Sequence, residues 1–231
     1  MEKYLTFENN IGLSFNNKQL LQQAFIHRSY INEHKGTELE HNERLEFLGD
    51  AVLELVVTDF LFNEYSAAEG RLTAYRSALV RTESISAAAR SMGMNDLLML
   101  SKGESRDEGK ARDYILANTF EAFVGAVYLD QGYEAARKVI TETLLPNIQQ
   151  IIDEGTWRDA KSFVQEKAQE VYAQTPDYRL VSSDGPDHDK EFVMAIYFGN
   201  KKIAEGTGNS KQKAQQDAAQ HAITQEGWDD E

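Results

Sequence analysis

The sequence predicts two domains: an all-α domain, then a smaller α+β domain of order α-β-β-β-α. Three observations carry this. Through residues 12–145 apolar residues recur at steps of three and four, and no stretch alternates strictly at period two. After Leu145 the texture changes, where Pro146 interrupts the helical pattern and the polar run DEGTWRDA follows. Beyond that run, β-rich segments broken by Asp-Gly and Gly-Asn pairs lie between two amphipathic helices. The boundaries read as 1–150 for the first domain, 151–157 for a linker, 158–226 for the second domain and 227–231 for a frayed acidic tail.

In the first domain LLQQAFIHRSYI, LEFLGDAVLELVVTDFLF, LTAYRSALVRTESISAAARSM and YILANTFEAFVGAVYLD each carry an apolar stripe. Turn signals in NEHKGTE, SAAEGR, MGMND and KGESRDEGKARD divide them, giving about six to eight helices. In the second domain AKSFVQEKAQEVYAQ is a helix with Asp159 as its N-cap. The segments DYRLVSSDG, KEFVMAIYFGN and KKIAEGTG read as strands, and SKQKAQQDAAQHAITQ closes as an alanine-rich helix capped by Ser210.

Apolar residues are 41% of the 231 and charged residues 27%, the balance of a soluble folded chain. No apolar run approaches the ~18 residues of a membrane span, and MEKYLTFENNIG lacks the apolar core of a secretory signal. With no cysteine, disulfides, thiolate zinc sites and cysteine nucleophiles are excluded, and a reducing, cytoplasmic compartment is expected. The net charge is −14, shared equally: residues 1–150 carry 15 basic and 22 acidic groups, residues 151–231 carry 9 and 16. Phosphate binding is driven by Lys and Arg, so this balance by itself argues against a nucleic-acid partner. Any polyanion site has to be a local patch.

The most informative stretch is HNERLEFLGDAVLELVV. Glu43, Glu46 and Asp50 fall at i, i+3 and i+7, on one face of a helix. Such a stripe is commonly a solvated helix face. Here Asp50 sits between Leu48-Gly49 and Ala51-Val52-Leu53, where a carboxylate is expected to be partly desolvated and to need a partner. Gly49, unfavourable inside a helix, points to close approach of another backbone or a ligand. Asn118 and Glu121 repeat the theme at i, i+3 on a second apolar helix. Two apolar helices that each turn oxygen ligands inward are how bundles build metal sites. Hard oxygens without Cys or paired His favour Mg²⁺ or Mn²⁺ over zinc, and such an ion suits phosphodiester hydrolysis.

Glu43-Arg-Leu-Glu-Phe-Leu-Gly-Asp50-Ala-Val-Leu resembles the signature of the ribonuclease III family. Gln23-Ala-Phe-Ile-His-Arg-Ser-Tyr30, Glu69-Gly-Arg-Leu-Thr73 and Ile115-Leu-Ala-Asn-Thr-Phe-Glu121-Ala are similar to its other blocks, in the expected order over nearly the whole chain. The resemblance implies a homodimeric endonuclease for double-stranded RNA that leaves 5′-phosphate and 3′-hydroxyl ends, in ribosomal and messenger RNA processing. It implies that Glu46, Asp50, Asn118 and Glu121 bind the divalent ions, with Asp50 and Glu121 catalytic. Glu43 and Glu69 would be accessory acids, and Phe47 would pack across the dimer rather than within one core. The family has Asp where this chain has Asn118, so dipole replaces charge and weaker metal binding, or a preference for Mn²⁺, is expected. A working natural variant, an inactivating substitution and an assembly that binds RNA without cutting it all fit that departure; the otherwise intact motif favours the first.

Residues 159–225 resemble the double-stranded-RNA-binding domain through Asp159-Ala-Lys-Ser-Phe-Val-Gln-Glu166, Gly185-Pro-Asp-His-Asp-Lys-Glu-Phe192 and Gly206-Thr-Gly-Asn-Ser-Lys-Gln-Lys-Ala214. By that resemblance Gln165, Glu166 and His188 would meet minor-groove 2′-hydroxyls, and Lys211 and Lys213 would meet phosphates. Residues 201–213 hold Lys201, Lys202, Lys211 and Lys213 against Glu205, a local +3. Where relatives carry further basic residues this chain has Gln212 and Gln215, so weak, salt-sensitive binding is expected. His27 reads as a packed structural residue rather than a base. Two rivals remain: a protein that shields duplex RNA without cutting it, and an all-α metal enzyme for a small phosphorylated substrate.

Overall fold

The computed structural model describes residues 2–186 and 190–228. The chain forms two compact units, Met1–Trp157 and Arg158–Glu231. Among the described residues no helix is long and apolar enough to cross a membrane.

In the first unit the helices are α1 (Glu2–Ile11), α2 (Lys18–Ala24), α3 (Arg28–Glu33), α4 (Glu43–Glu64), α5 (Glu69–Leu79), α6 (Thr82–Ser91), α7 (Lys110–Gln131), α8 (Tyr133–Thr143) and α9 (Ile148–Asp153). The apolar stripes run as the periodicity requires, but two of them break. Asn17 and His27 cap α2 and α3 through their side chains, which divides the first stripe around Phe25–His27. That short segment is pinned in place, because His27 N–H donates to the Met99 carbonyl and Met99 N–H to the Phe25 carbonyl. The third stripe turns between α5 and α6, where the Ser84 hydroxyl donates to the Ala78 carbonyl at 2.8 Å.

Two helices lie outside the expected span. In α1 Tyr4 and Phe7 are buried, and Phe7 meets Phe25 and Phe123 edge-on at 5.5 Å each. Its Glu8 is buried against the Lys18 ammonium at 2.6 Å. At the other end α9 occupies part of the stretch expected as a linker, and Trp157 meets Tyr75 edge-on at 4.9 Å, within the first unit. Helix α7 is the axis of this unit: from Ile115 to Val127 nearly every side chain except Asn118 and Glu121 is buried.

The second unit is α10 (Ala160–Tyr172), β1 (Pro176–Asp184), β2 (Glu191–Phe198), β3 (Lys201–Gly208) and α11 (Lys211–Glu226). The strands form one antiparallel sheet in sequence order, with a bulge between Leu180 and Ser182. Asp159 caps α10 through Ser162 N–H and Ser210 caps α11 through Lys213 N–H, as expected. The core joins Val164 and Ala168 of α10, Ile196, Phe198 and Ile203 of the sheet, and Ala218, Ala222 and Ile223 of α11. The acidic-tail expectation fails at its first two residues. Gly227 ends α11 in the left-handed conformation (φ 72°), and Trp228 is buried, stacked on Phe198 at 5.9 Å. An indole removed from water contributes more than a frayed end could.

Helix α11 lies on β3 with almost no separation. A Cβ on Gly206 would stand 2.0 Å from the Ala218 nitrogen, and one on Gly208 2.6 Å from the Ala214 nitrogen. The alanines of α11 and these glycines are therefore one feature, small residues on both sides of a backbone contact. Gly206→Ala is expected to destabilise the second unit by about 3 kcal/mol, because overpacking here meets backbone rather than a movable side chain. Circular dichroism melts of the full chain would show the loss. An unchanged second-unit transition would refute it.

Candidate functional site

Helices α4 and α7 cross at two glycines. A Cβ on Gly49 would stand 1.7 Å from the Glu121 carbonyl oxygen, and a Cβ on Gly125 would stand 2.2 Å from the Leu45 carbonyl oxygen. The close approach read from Gly49 is thus backbone on backbone. Glu46 and Asp50 lie one turn before and one residue after Gly49, so the crossing puts them beside Glu121.

The electrostatics follow from that placement. Burial first, and then the charges of Asp50, Glu46 and Glu54, push the Glu121 carboxyl up from its ordinary 4.5 to about 8. Glu46 is also raised, by burial first and then by Glu43 and Asp50. The expectation for Asp50 has to be corrected. Asp50 itself is exposed, and the desolvated carboxylate is Glu121, because α7 runs through the core and α4 turns Asp50 outward. Asn118 is exposed, one turn before Glu121 on α7.

The other acids divide. Glu43 is engaged at the start of α4: Arg28 Nη1 lies 3.0 Å from one oxygen and His41 Nδ1 3.7 Å from the other. Glu69 opens α5, exposed, beside a pocket lined by Phe62, Leu72 and Arg76, and it is not among the charges acting on Glu46 or Glu121. Glu54 was missed from the sequence although it continues the stripe at i+4 from Asp50. It acts on Glu121 and is held by Arg76 Nε at 3.1 Å. Among the described residues no three His, Asp or Glu side chains already converge at metal-ligand spacing.

Around this site His27 is a structural residue. Its Nδ1 lies 2.8 Å from the Ser29 hydroxyl and accepts from Ser29 N–H at 3.3 Å, and burial lowers its pKa. Phe47 is 82% exposed on α4, which removes the reading of a core aromatic within one subunit.

In the second unit Gln165 and Glu166 are exposed on α10, and Lys211 and Lys213 are exposed in the first turn of α11. His188 lies outside the described residues. The local excess of positive charge is smaller than the sequence suggests. Lys202 pairs with Glu205 at 2.6 Å, and Lys201 pairs with Glu226, distant in sequence, at 3.6 Å.

Residues 17–148 match the family model described as ribonuclease-III-like, and residues 160–226 match the double-stranded RNA binding motif. The chain belongs to the ribonuclease III family. Among ribonuclease III relatives, one from Geobacillus kaustophilus named ribonuclease 3 is 43% identical over 225 residues, covering 96% of this chain and 90% of its own. One of the same name from Streptococcus equi subsp. zooepidemicus is 41% identical, covering 94% of this chain and 95% of its own. The crystal structure of the nuclease domain of ribonuclease III from Campylobacter jejuni is similar at a TM-score of 0.57 and 36% identity, covering 64% of this chain and 97% of that one. A second structure of that Campylobacter domain, concerned with a flexible region involved in dimer formation, has a TM-score of 0.55 at 37% identity, covering 61% of this chain and 95% of that one. Membership of the ribonuclease III family makes the protein an endoribonuclease with a duplex-RNA-binding module, and ribonuclease III enzymes are metal-dependent nucleases.

Proposed function

We propose that the protein hydrolyses double-stranded RNA at the Glu46, Asp50, Asn118 and Glu121 cluster, leaving 5′-phosphate and 3′-hydroxyl ends, in the maturation of structured ribosomal and messenger precursors. The observation that supports this most directly is Glu121, a largely buried acid whose pKa is raised to about 8 beside Asp50, Glu46 and Glu54. A desolvated carboxylate among other acids is a position that calls for a cation.

The donor set is hard oxygen throughout and fits Mg²⁺, with Mn²⁺ able to substitute. A divalent ion, when bound, supplies positive charge that lowers the pKa of water and stabilises the departing 3′ oxygen. The chain's own residues do the rest. The Gly49 crossing sets the spacing between the Glu46 and Asp50 side of the cluster and the Glu121 side. Glu121 carries a proton at neutral pH without a cation, and releases it when positive charge arrives. Asn118 offers a carbonyl dipole where relatives offer charge. Glu43, steered by Arg28 and His41, and Glu69, at the start of α5, serve as accessory acids.

Recognition of the duplex falls to Gln165 and Glu166 for 2′-hydroxyls, and to Lys211 and Lys213 for phosphates. The protein works as a homodimer. Phe47, Leu55 and Phe62 are all exposed on α4 at steps of eight and seven residues, an apolar stripe that a second copy would cover. The cysteine-free composition suits the cytoplasm.

The test is incubation of a labelled RNA duplex with the protein and Mg²⁺ or Mn²⁺, repeated with Glu121→Gln. Cleavage that the variant loses supports the nuclease, whereas a stable complex without products supports the shielding protein. Asn118→Asp adds one ligand charge and is expected to lower the half-saturating Mg²⁺ concentration by roughly three- to tenfold. An unchanged metal titration would show that the carbonyl dipole already suffices.

A further inference from the structure

We propose that Lys161 is a third phosphate-contacting cation of the second unit, positioned by Gln215; this rests on the reading of that unit as the duplex-RNA grip. With Lys201 and Lys202 tied to Glu226 and Glu205, the first turn of α11 is left with Lys211 and Lys213 as its exposed cations. Two glutamines, Gln212 and Gln215, stand where more positive charge would be expected. The structure shows what one of them does. The Lys161 ammonium, from α10, donates to the Gln215 side-chain carbonyl at 2.7 Å, and it lies 5.2 Å from the centre of the Tyr178 ring.

Both of these partners are neutral, so they hold the ammonium without cancelling its charge. Their location matters as much. Lys161 is one helical turn before Gln165 on α10, and Gln215 is one turn after Lys211 on α11. The bond therefore joins the helix face that meets 2′-hydroxyls to the helix face that meets phosphates. A basic residue at 215 would repel Lys161, whereas an amide oxygen accepts from it. Gln215 thus leaves the positive charge of Lys161 uncancelled on α10 and presets its rotamer.

The test uses the full-length protein with EDTA, so that binding is read without cleavage. Fluorescence anisotropy on an RNA duplex of about 20 base pairs is followed as KCl is raised. Lys161→Ala is expected to weaken binding roughly fivefold at low salt and to lower the slope of log affinity against log salt by about one, with Lys161→Arg retaining both. Gln215→Ala should move both quantities the same way by less. Gln215→Lys should restore binding in the Lys161→Ala background and add little to the wild type. If Lys161→Ala lowers thermal stability but leaves the salt slope unchanged, the lysine is a packing residue and the proposal is overturned. If the wild-type chain binds no duplex at any salt, the reading of the second unit as an RNA grip fails instead.

Discussion

Gly49→Ala is expected to slow cleavage on the order of a hundredfold and to destabilise the first unit together. The added methyl would stand 1.7 Å from the Glu121 carbonyl oxygen, 2.6 Å from its carbon and 2.8 Å from the Gly125 nitrogen. All three atoms are backbone, inside a helix held at both ends, so nothing can rotate away. Helices α4 and α7 must separate by more than an ångström, or one must slide. Either movement loosens the tightest part of the core, at a cost of about 3 kcal/mol or more. Either also carries Glu46 and Asp50 away from Glu121, and a misplacement of that size can cost on the order of a hundredfold in rate. Gly70→Ala is the matched control, since a Cβ there meets nothing within 4 Å. Gly70 lies in the first turn of α5, so its alanine variant should be as stable as the wild type or more so, by up to about 0.5 kcal/mol. Calorimetry and single-turnover cleavage of the two variants would check both statements. A Gly49→Ala protein that melts and cuts like the wild type would show that the crossing is not the organising contact.

Glu121→Gln should be inactive and yet more stable than the wild type at pH 8 when no divalent ion is present. The pKa of Glu121 rises on folding, from 4.5 to about 8. A raised acid gives its full stabilisation below about pH 4.5, loses it progressively as pH rises, and has none left above about pH 8. By pH 8 the fold without metal has to hold either a partly buried charge or a proton against the solution, a cost that the neutral amide avoids. Allowing for residual solvent at the site, the advantage is on the order of 2 kcal/mol, or about 5 °C in the melting of the first unit. It should shrink towards pH 5. Saturating Mg²⁺ should reverse the order, because the wild type gains a ligand that the amide holds less well. The same proton makes metal binding pH-linked, so cleavage at limiting Mg²⁺ should climb up to about pH 8. Equal melting temperatures for the two proteins across pH 5–9 without metal would refute this account of Glu121.

The spacing of Glu46 and Asp50, the pair Asn118 and Glu121, and the cost of Gly49 were legible because helical periodicity is local. Caps at Asp159 and Ser210 were legible for the same reason. What the sequence could not rank was depth. Glu121 lies deeper than Asp50 because α7 is the buried axis, and that follows from which helices surround it. Pairings between distant segments were hidden too. Glu54 takes its place through Arg76 of another helix, and Lys201 pairs with Glu226 at the far end of α11. A single indole carries no period, so Trp228 reads as tail in the sequence; the Phe198 and Tyr172 rings packed against it make the position a core site.

The pairing of the two β3 lysines with acids also bears on kinetics. Unpaired positive charge holds any polyanion, whether duplex or single strand, RNA or DNA. A module with few loose cations dwells briefly on each molecule it meets, and what lengthens the visit is the match of hydroxyl-bearing groove to helix face. By this reasoning fast release of wrong nucleic acids and prompt surrender of severed products are expected from the same restraint.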